Sequence, residues 1–121
     1  MHEISLVRTI FRTLEDQFSA EELTHLRAID LSVGQLSNVE PVLLQNAFQA
    51  VTEEAEAARY RDAELRIAVL PAQIHCAACD QVSEVIAYRF VCSTCGRPSA
   101  HVVQGNELMI TRVTFEEETA E

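Results

Sequence analysis

The sequence predicts an α+β fold. It is a small α/β layer, two helices on a sheet of about three strands, with a four-cysteine module inserted before the last strand. Three observations carry that reading. Apolar residues recur at helical spacing twice, from Ile4 to Phe18 and again after Pro41. Two alternating segments, LRAIDLSVGQ and AELRIAVLP, flank the second of these. Between Pro71 and Ser99 the periodicity gives way to two C-x2-C pairs.

Taken in order, Ile4, Val7, Ile10, Phe11, Leu14 and Phe18 form one apolar stripe. Ser19 suits the cap of a short turn through Glu21 and Glu22. In the first strand Ile29, Leu31 and Val33 share one face, Asp30 and Ser32 the other, and Gly34 ends it. Pro41 fits the first helical position, where no N–H is needed. Leu43, Leu44, Ala47, Phe48 and Val51 line that helix, and TEEAEAARYRD is expected to carry it into solvent. Leu65, Ile67 and Val69 alternate with Glu64, Arg66 and Ala68 in a second strand. Strand, helix, strand predicts a right-handed parallel crossover. VIAYRFV reads as a short strand within the cysteine module. HVVQGNELMITRVTF reads as two strands joined by a two-residue hairpin turn at Gly105-Asn106. The ending EEETAE is acidic and expected to be disordered.

The 121 residues suffice for one ordinary domain, or a small domain with a smaller one attached. No apolar stretch approaches the ~20 residues of a membrane span. MHEISLVRT does not read as a secretion signal, so a cytoplasmic protein without a membrane partner is expected. Nineteen acidic residues against nine basic ones give a formal charge of -10, and all nine are arginines, scattered along the chain. A phosphate backbone is repelled by such a surface, which argues against nucleic acid. There is no HExxH, no phosphate loop and no nucleophile with a plausible base, so no catalytic residue is assigned and an enzyme is not expected.

Cys76, Cys79, Cys92 and Cys95 form C-x2-C-x12-C-x2-C. Each pair makes a tight knuckle whose sulfurs converge, and twelve residues allow a strand out and back between knuckles. Four thiolates match Zn(II), at a Zn–S distance near ~2.3 Å, and close its coordination sphere to substrate. The spacing predicts a structural zinc site rather than a redox pair. A module this small lacks its own core, so the metal supplies most of its folding free energy. His75 directly precedes Cys76 and His101 follows the module; both suit hydrogen-bond donation to the thiolates, or a sensing role if one replaces a cysteine. His25 carries no such reading.

The start, Met1-His2-Glu3, offers different chemistry. The α-amine and the His2 imidazole both titrate near neutral pH. With the intervening amide nitrogen deprotonated, the three nitrogens close two fused chelate rings on one ion. A planar all-nitrogen set suits Ni(II) or Cu(II), and Glu3 adds an oxygen. The ordinary alternative is that Glu3 merely complements the dipole of the first helix.

MHE, VGQLSNVEP, ELRIAVLPA before the paired CxxC motifs, and QGNELMITRV occur in one order, and together they resemble the HypA (HybF) family across nearly the whole chain. The resemblance implies a nickel metallochaperone for [NiFe]-hydrogenase, and in some organisms urease, maturation. It implies Ni(II) as cargo at Met1, His2 and Glu3, with Glu40 standing where some members carry an Asp associated with nickel. It implies structural Zn(II) on Cys76, Cys79, Cys92 and Cys95. The expected sheet is mixed. Residues 1–70 with 100–116 would form the nickel domain, 71–99 the zinc module and 117–121 the acidic tail. Implied partners are a HypB-like GTPase and the hydrogenase large-subunit precursor, with the chain a monomer or homodimer. The competing reading is a zinc-ribbon protein-interaction adaptor without nickel.

Overall fold

A computed structural model describes residues 3–116. They fall into two compact units. The first comprises the described residues up to Leu31, Val39–Ile67 and those from Ile110 onward; the second comprises Ser32–Asn38 and Ala68–Met109.

In the first unit, helix α1 (Glu3–Gln17) buries Leu6, Val7, Ile10, Phe11 and Leu14. The stripe therefore begins at Leu6, and Ile4 is exposed. Ser19 caps the short helix α2 (Ala20–Leu23) in a reciprocal box: the Glu22 N–H donates to Ser19 Oγ at 3.1 Å, and the Ser19 N–H donates to Glu22 Oε1 at 2.8 Å. The box seats Leu23, which is fully buried. Strand β1 (Leu26–Gly34) follows, with Ile29, Leu31 and Val33 buried.

Helix α3 (Pro41–Thr52) starts on Pro41 and buries Leu44, Ala47, Phe48, Val51 and Thr52. Leu43 lies one residue, about 100° around the helix, from that stripe and is 51% exposed. The following polar run does not extend α3 into solvent. A 3-10 helix (Ala55–Tyr60) turns the chain back and buries Ala57 and Tyr60. The Tyr60 ring stacks on Phe11, centroids 3.9 Å apart at 7°, and its hydroxyl donates to Glu15 Oε2 at 2.7 Å. The segment kinks at Ala57, at φ -112° and ψ 17°, so it is two short turns rather than one regular helix.

Strand β2 (Glu64–Leu70) pairs with β1, and the last long strand, β6 (Leu108–Phe115), pairs with the other side of β1. The three-stranded sheet is mixed, in the order β2-β1-β6. On β2 the alternation fades toward the end: Leu65 is buried, Ile67 half-buried and Val69 51% exposed.

The second unit holds β3 (Gln73–His75), β4 (Val82–Glu84) and β5 (Val102–Gln104), in an antiparallel sheet of order β4-β3-β5. The register pairs Ile74 with Ser83 on one side and with Val102 on the other. Its buried core is Ala72, Ile74 and Val85, flanked by Leu36, Phe90 and Val102.

Two turn expectations change places. Gly105-Asn106 is not a hairpin turn, because the strands on either side join different sheets. Instead Gly105, at φ 126°, allows close approach. A Cβ at Gly34 would overlap the Gly105 carbonyl, and one at Gly105 would meet Ala72 Cα at 2.8 Å. The Leu36 N–H donates to that same carbonyl at 2.8 Å. VIAYRFV, conversely, is not one strand. Ala87 and Tyr88 have φ of 53° and 59°, and the Arg89 N–H donates back to the Ile86 carbonyl at 3.0 Å. That is a two-residue turn of the type I′ kind, built without glycine or asparagine.

Candidate metal centre

The two C-x2-C segments fold alike. In the first knuckle the Asp80 N–H donates to the Cys76 carbonyl at 2.7 Å, and the Cys76 N–H to the Gln81 carbonyl at 2.9 Å. In the second, the Gly96 N–H donates to the Cys92 carbonyl at 2.9 Å, and the Cys92 N–H to the Arg97 carbonyl at 2.8 Å. The residue after the second cysteine is left-handed in both, Asp80 at φ 58° and Gly96 at φ 77°. Glycine takes that conformation freely and Asp tolerates it.

These knuckles bring all four sulfurs within 4.8 Å of one another. Cys76 Sγ lies 3.6 Å from Cys95 Sγ, and Cys79 Sγ lies 3.5 Å from Cys92 Sγ. Neither distance is a disulfide bond. A tetrahedral ion with Zn–S near ~2.3 Å holds its sulfurs about 3.8 Å apart, so the set fits zinc with little movement. Cys76 and Cys92 are each only 2% exposed, Cys79 is half-buried and Cys95 exposed.

Electrostatics within the cluster are uneven. The Cys92 thiol is pulled down to about 6 by the backbone N–H groups of Cys95 and Thr94, which point at its sulfur. The Cys79 N–H, with that of Ala78, lowers Cys76 in the same way. Cys79 is pushed up to about 12, first because its thiol hydrogen-bonds the Cys92 sulfur and then by burial. The first cysteine of each knuckle is therefore shifted toward its thiolate, and a metal must displace the proton held on Cys79.

Two serines with no motif complete the site. Buried Ser83 directs its hydroxyl at Cys92 Sγ, 3.9 Å away, and accepts from the Ser93 N–H at 3.0 Å. Sequence spacing does not reveal Ser83, because it comes from β4 rather than from a knuckle.

His75 and His101 stand beside this centre but outside the sulfur cluster. Their rings meet edge to face at 5.6 Å, and His75 Nε2 bonds Asp80 Oδ1 at 2.7 Å. His75 is thus engaged with a carboxylate of the first knuckle. Elsewhere Glu3 opens α1, and Glu40 is the exposed N-cap residue of α3, with no side-chain bond to the helix. His25 precedes β1, and its carbonyl accepts from the Glu116 N–H at 2.6 Å. Among the described residues the four cysteines form the one cluster of metal-ligating side chains. The expected nickel donors Met1 and His2, and the tail at 117–121, lie outside the described residues.

The family model described as "Hydrogenase/urease nickel incorporation, metallochaperone, hypA" matches residues 1–115. The chain belongs to the HypA family. It is 31% identical over 118 residues to the hydrogenase maturation factor HypA of Shewanella sp. (strain MR-7), covering 98% of each chain. It is 35% identical over 117 residues to the HypA of Azotobacter vinelandii, covering 96% of this chain and 100% of that one. The fold is similar to the solution structure of the Ni metallochaperone HypA from Helicobacter pylori, with a TM-score of 0.63, 24% identity, and coverage of 98% of this chain and 100% of that one. A second solution structure of a HypA protein matches with a TM-score of 0.68, 24% identity and 98% of each chain covered. The resemblance read from the ordered motifs is borne out, as is the α+β fold with its inserted cysteine cluster. HypA proteins are nickel metallochaperones, maturation factors rather than catalysts, and the four-cysteine cluster of this member is consistent with structural zinc. Among the described residues no helix is long and apolar enough to cross a membrane.

Proposed function

We propose that this HypA chain carries Ni(II) at its amino terminus and hands it over during [NiFe]-hydrogenase maturation. The Met1 amine, the His2 amide and imidazole nitrogens and the Glu3 carboxylate are the donors. Cys76, Cys79, Cys92 and Cys95 hold a structural zinc ion. The observation that carries the reading is that the family match begins at residue 1 and so takes in Met1-His2-Glu3. Glu3 is also the first residue of α1, a helix fixed by five buried side chains, so the donors are followed at once by a rigid element. The Glu40 carboxylate makes no bond to its own helix and is open to a further contact with nickel.

Nitrogen donors that titrate near neutrality release nickel when protons compete for them. Delivery is then ligand exchange with a partner, with no covalent step. A HypB-like GTPase and the hydrogenase large-subunit precursor are the proposed partners, in the cytoplasm, with the chain a monomer or homodimer.

Calorimetric titration of Ni(II) into protein with its authentic start tests the site. His2→Ala, or two residues placed ahead of Met1, should abolish high-affinity binding while zinc content stays unchanged. Nickel binding equal to wild type in both variants would overturn the assignment and leave the interaction-adaptor reading.

A further inference from the structure

The small core of the second unit holds a hydroxyl where an apolar side chain would pack. Ser83 is the middle residue of β4, opposite Ile74, and is 5% exposed, while Val82 and Glu84 on either side are exposed. A buried hydroxyl costs free energy unless it is bonded. Its partners all belong to the second knuckle. The Ser93 N–H and the Ser93 hydroxyl each donate to Ser83 Oγ at 3.0 Å, and the Ser83 hydroxyl donates toward Cys92 Sγ at 3.9 Å. A hydroxyl has two acceptor sites and one hydrogen. The two Ser93 donors fill those sites and leave the hydrogen to the sulfur, which as a thiolate attracts it more strongly than a neutral hydroxyl does. The Thr94 and Cys95 N–H groups also reach that sulfur, but from within the knuckle; Ser83 comes from outside it.

The two knuckles are also held differently. The first closes a hairpin: β3 ends at His75, β4 begins at Val82, and these two residues pair across the ladder. The second stands between no paired strands, and the isolated bridge Val91–Pro98 flanks it. Their inner residues differ to match, Ala77-Ala78 in the first and Ser93-Thr94 in the second. The hydroxyl contacts thus occur at the knuckle that a ladder does not support.

We propose that Ser83 is a positioning residue of the metal centre: it fastens the second knuckle to β4 through Ser93, donates to the Cys92 sulfur, and so sets how firmly that knuckle retains its ion. The proposal rests on the zinc reading of the four cysteines. A donor of this kind orients a metal-binding sulfur and draws electron density from it. Loss of the hydroxyl leaves the Ser93 N–H without its acceptor and the Cys92 sulfur without its outside donor.

The full chain, loaded with zinc or with cobalt(II), is compared with Ser83→Ala and Ser83→Thr. Wild type should take up cobalt(II) with the strong sulfur-to-cobalt charge-transfer absorption of a thiolate site. Ser83→Ala should move that absorption to longer wavelength, because a sulfur without the hydrogen bond gives up its electron more easily. It should also pass zinc to a chromophoric chelator about tenfold faster, the loss of one hydrogen bond to a charged group. Ser83→Thr keeps the hydroxyl and should restore both. A role in packing alone changes the rate and leaves the absorption in place, so an unmoved absorption in Ser83→Ala overturns the proposal, as does an unchanged rate. Wild type without thiolate-bound metal would overturn the zinc reading, and this proposal with it. Hydrogen exchange tests the anchor without any variant. Ser93 is an exposed residue, yet its amide should exchange more than about tenfold slower than in an unstructured peptide. Exchange at the open-chain rate would overturn the proposal even if Ser83→Ala failed to fold.

Discussion

The two units of this protein reach order by different means. The first has a continuous apolar core, with Leu14, Leu23, Ile29, Leu44, Val51 and Tyr60 all essentially inaccessible. The second buries Ala72, Ile74 and Val85, with three half-buried neighbours. At ~25 cal/mol per Å² of apolar area, a core of that size does not offset the ordering of some fifty residues. Four convergent sulfurs stand where further core would otherwise be needed. The lesson is that a metal site can substitute for hydrophobic volume, and that removing it affects one unit far more than the other.

The sharpest way to break the comparison is Cys92→Ala. Structural zinc contributes roughly 10–16 kcal/mol at neutral pH in small zinc-dependent peptides. The variant should lose zinc stoichiometry and amide protection across β3, β4 and β5, while α1 and α3 keep theirs. Hydrogen exchange followed by NMR reads both at once. Uniform loss of protection would show that the units do not separate energetically.

Acidification should act on the same unit. Cys92 is a depressed acid in the metal-free site, so its contribution to folding is present above the ordinary thiol range and is lost as pH falls through about 6. Cys79, a raised acid, contributes below the ordinary thiol range and loses that contribution only as pH rises through about 12. Apparent zinc affinity should therefore fall with pH and fall more steeply below about 6, where the Cys92 thiolate adds one more proton to those that compete with the metal. Titration with a chromophoric chelator at a series of pH values measures it; a slope unchanged across pH 6 would contradict the geometry at Cys92.

Leu14→Ala is the counterpart in the first unit. Leu14 is 2% exposed, so truncation should cost ~2–5 kcal/mol, seen as a lower denaturation midpoint with zinc retained. The smallest expected effect is a gain. Tyr88 is 69% exposed and left-handed, so Tyr88→Gly should stabilise the zinc unit by about 1 kcal/mol, measured by chelator competition. A loss instead would mean that the tyrosine side chain is held by contacts the turn requires.

Local chemistry made much of this legible. The α1 stripe, the Ser19 cap, Pro41 at a helix start and the two knuckles each rest on a few adjacent residues. The knuckles were the clearest because left-handed Gly96 and paired cysteines are a local instruction. Tyr60 was misread because its polar neighbours outweigh one aromatic ring in any window, and its partner Phe11 lies 49 positions away. Ser83 was invisible for the same reason.

By itself the sequence determined α1 and α3, the β1 and β2 segments, the four-sulfur site and the family, because each is written in short-range spacing or in an ordered set of motifs. Only the tertiary structure decided where the turns fall. Gly105-Asn106 has the chemistry of a hairpin and is instead a point of close approach, since β5 pairs with β3 and β6 with β1. Ala87-Tyr88 has none of that chemistry and turns nonetheless, because the bridge Ile86–Arg89 brings its ends together. Strand pairing is a contest among distant partners, and its outcome is a sum over contacts that no window of the chain contains.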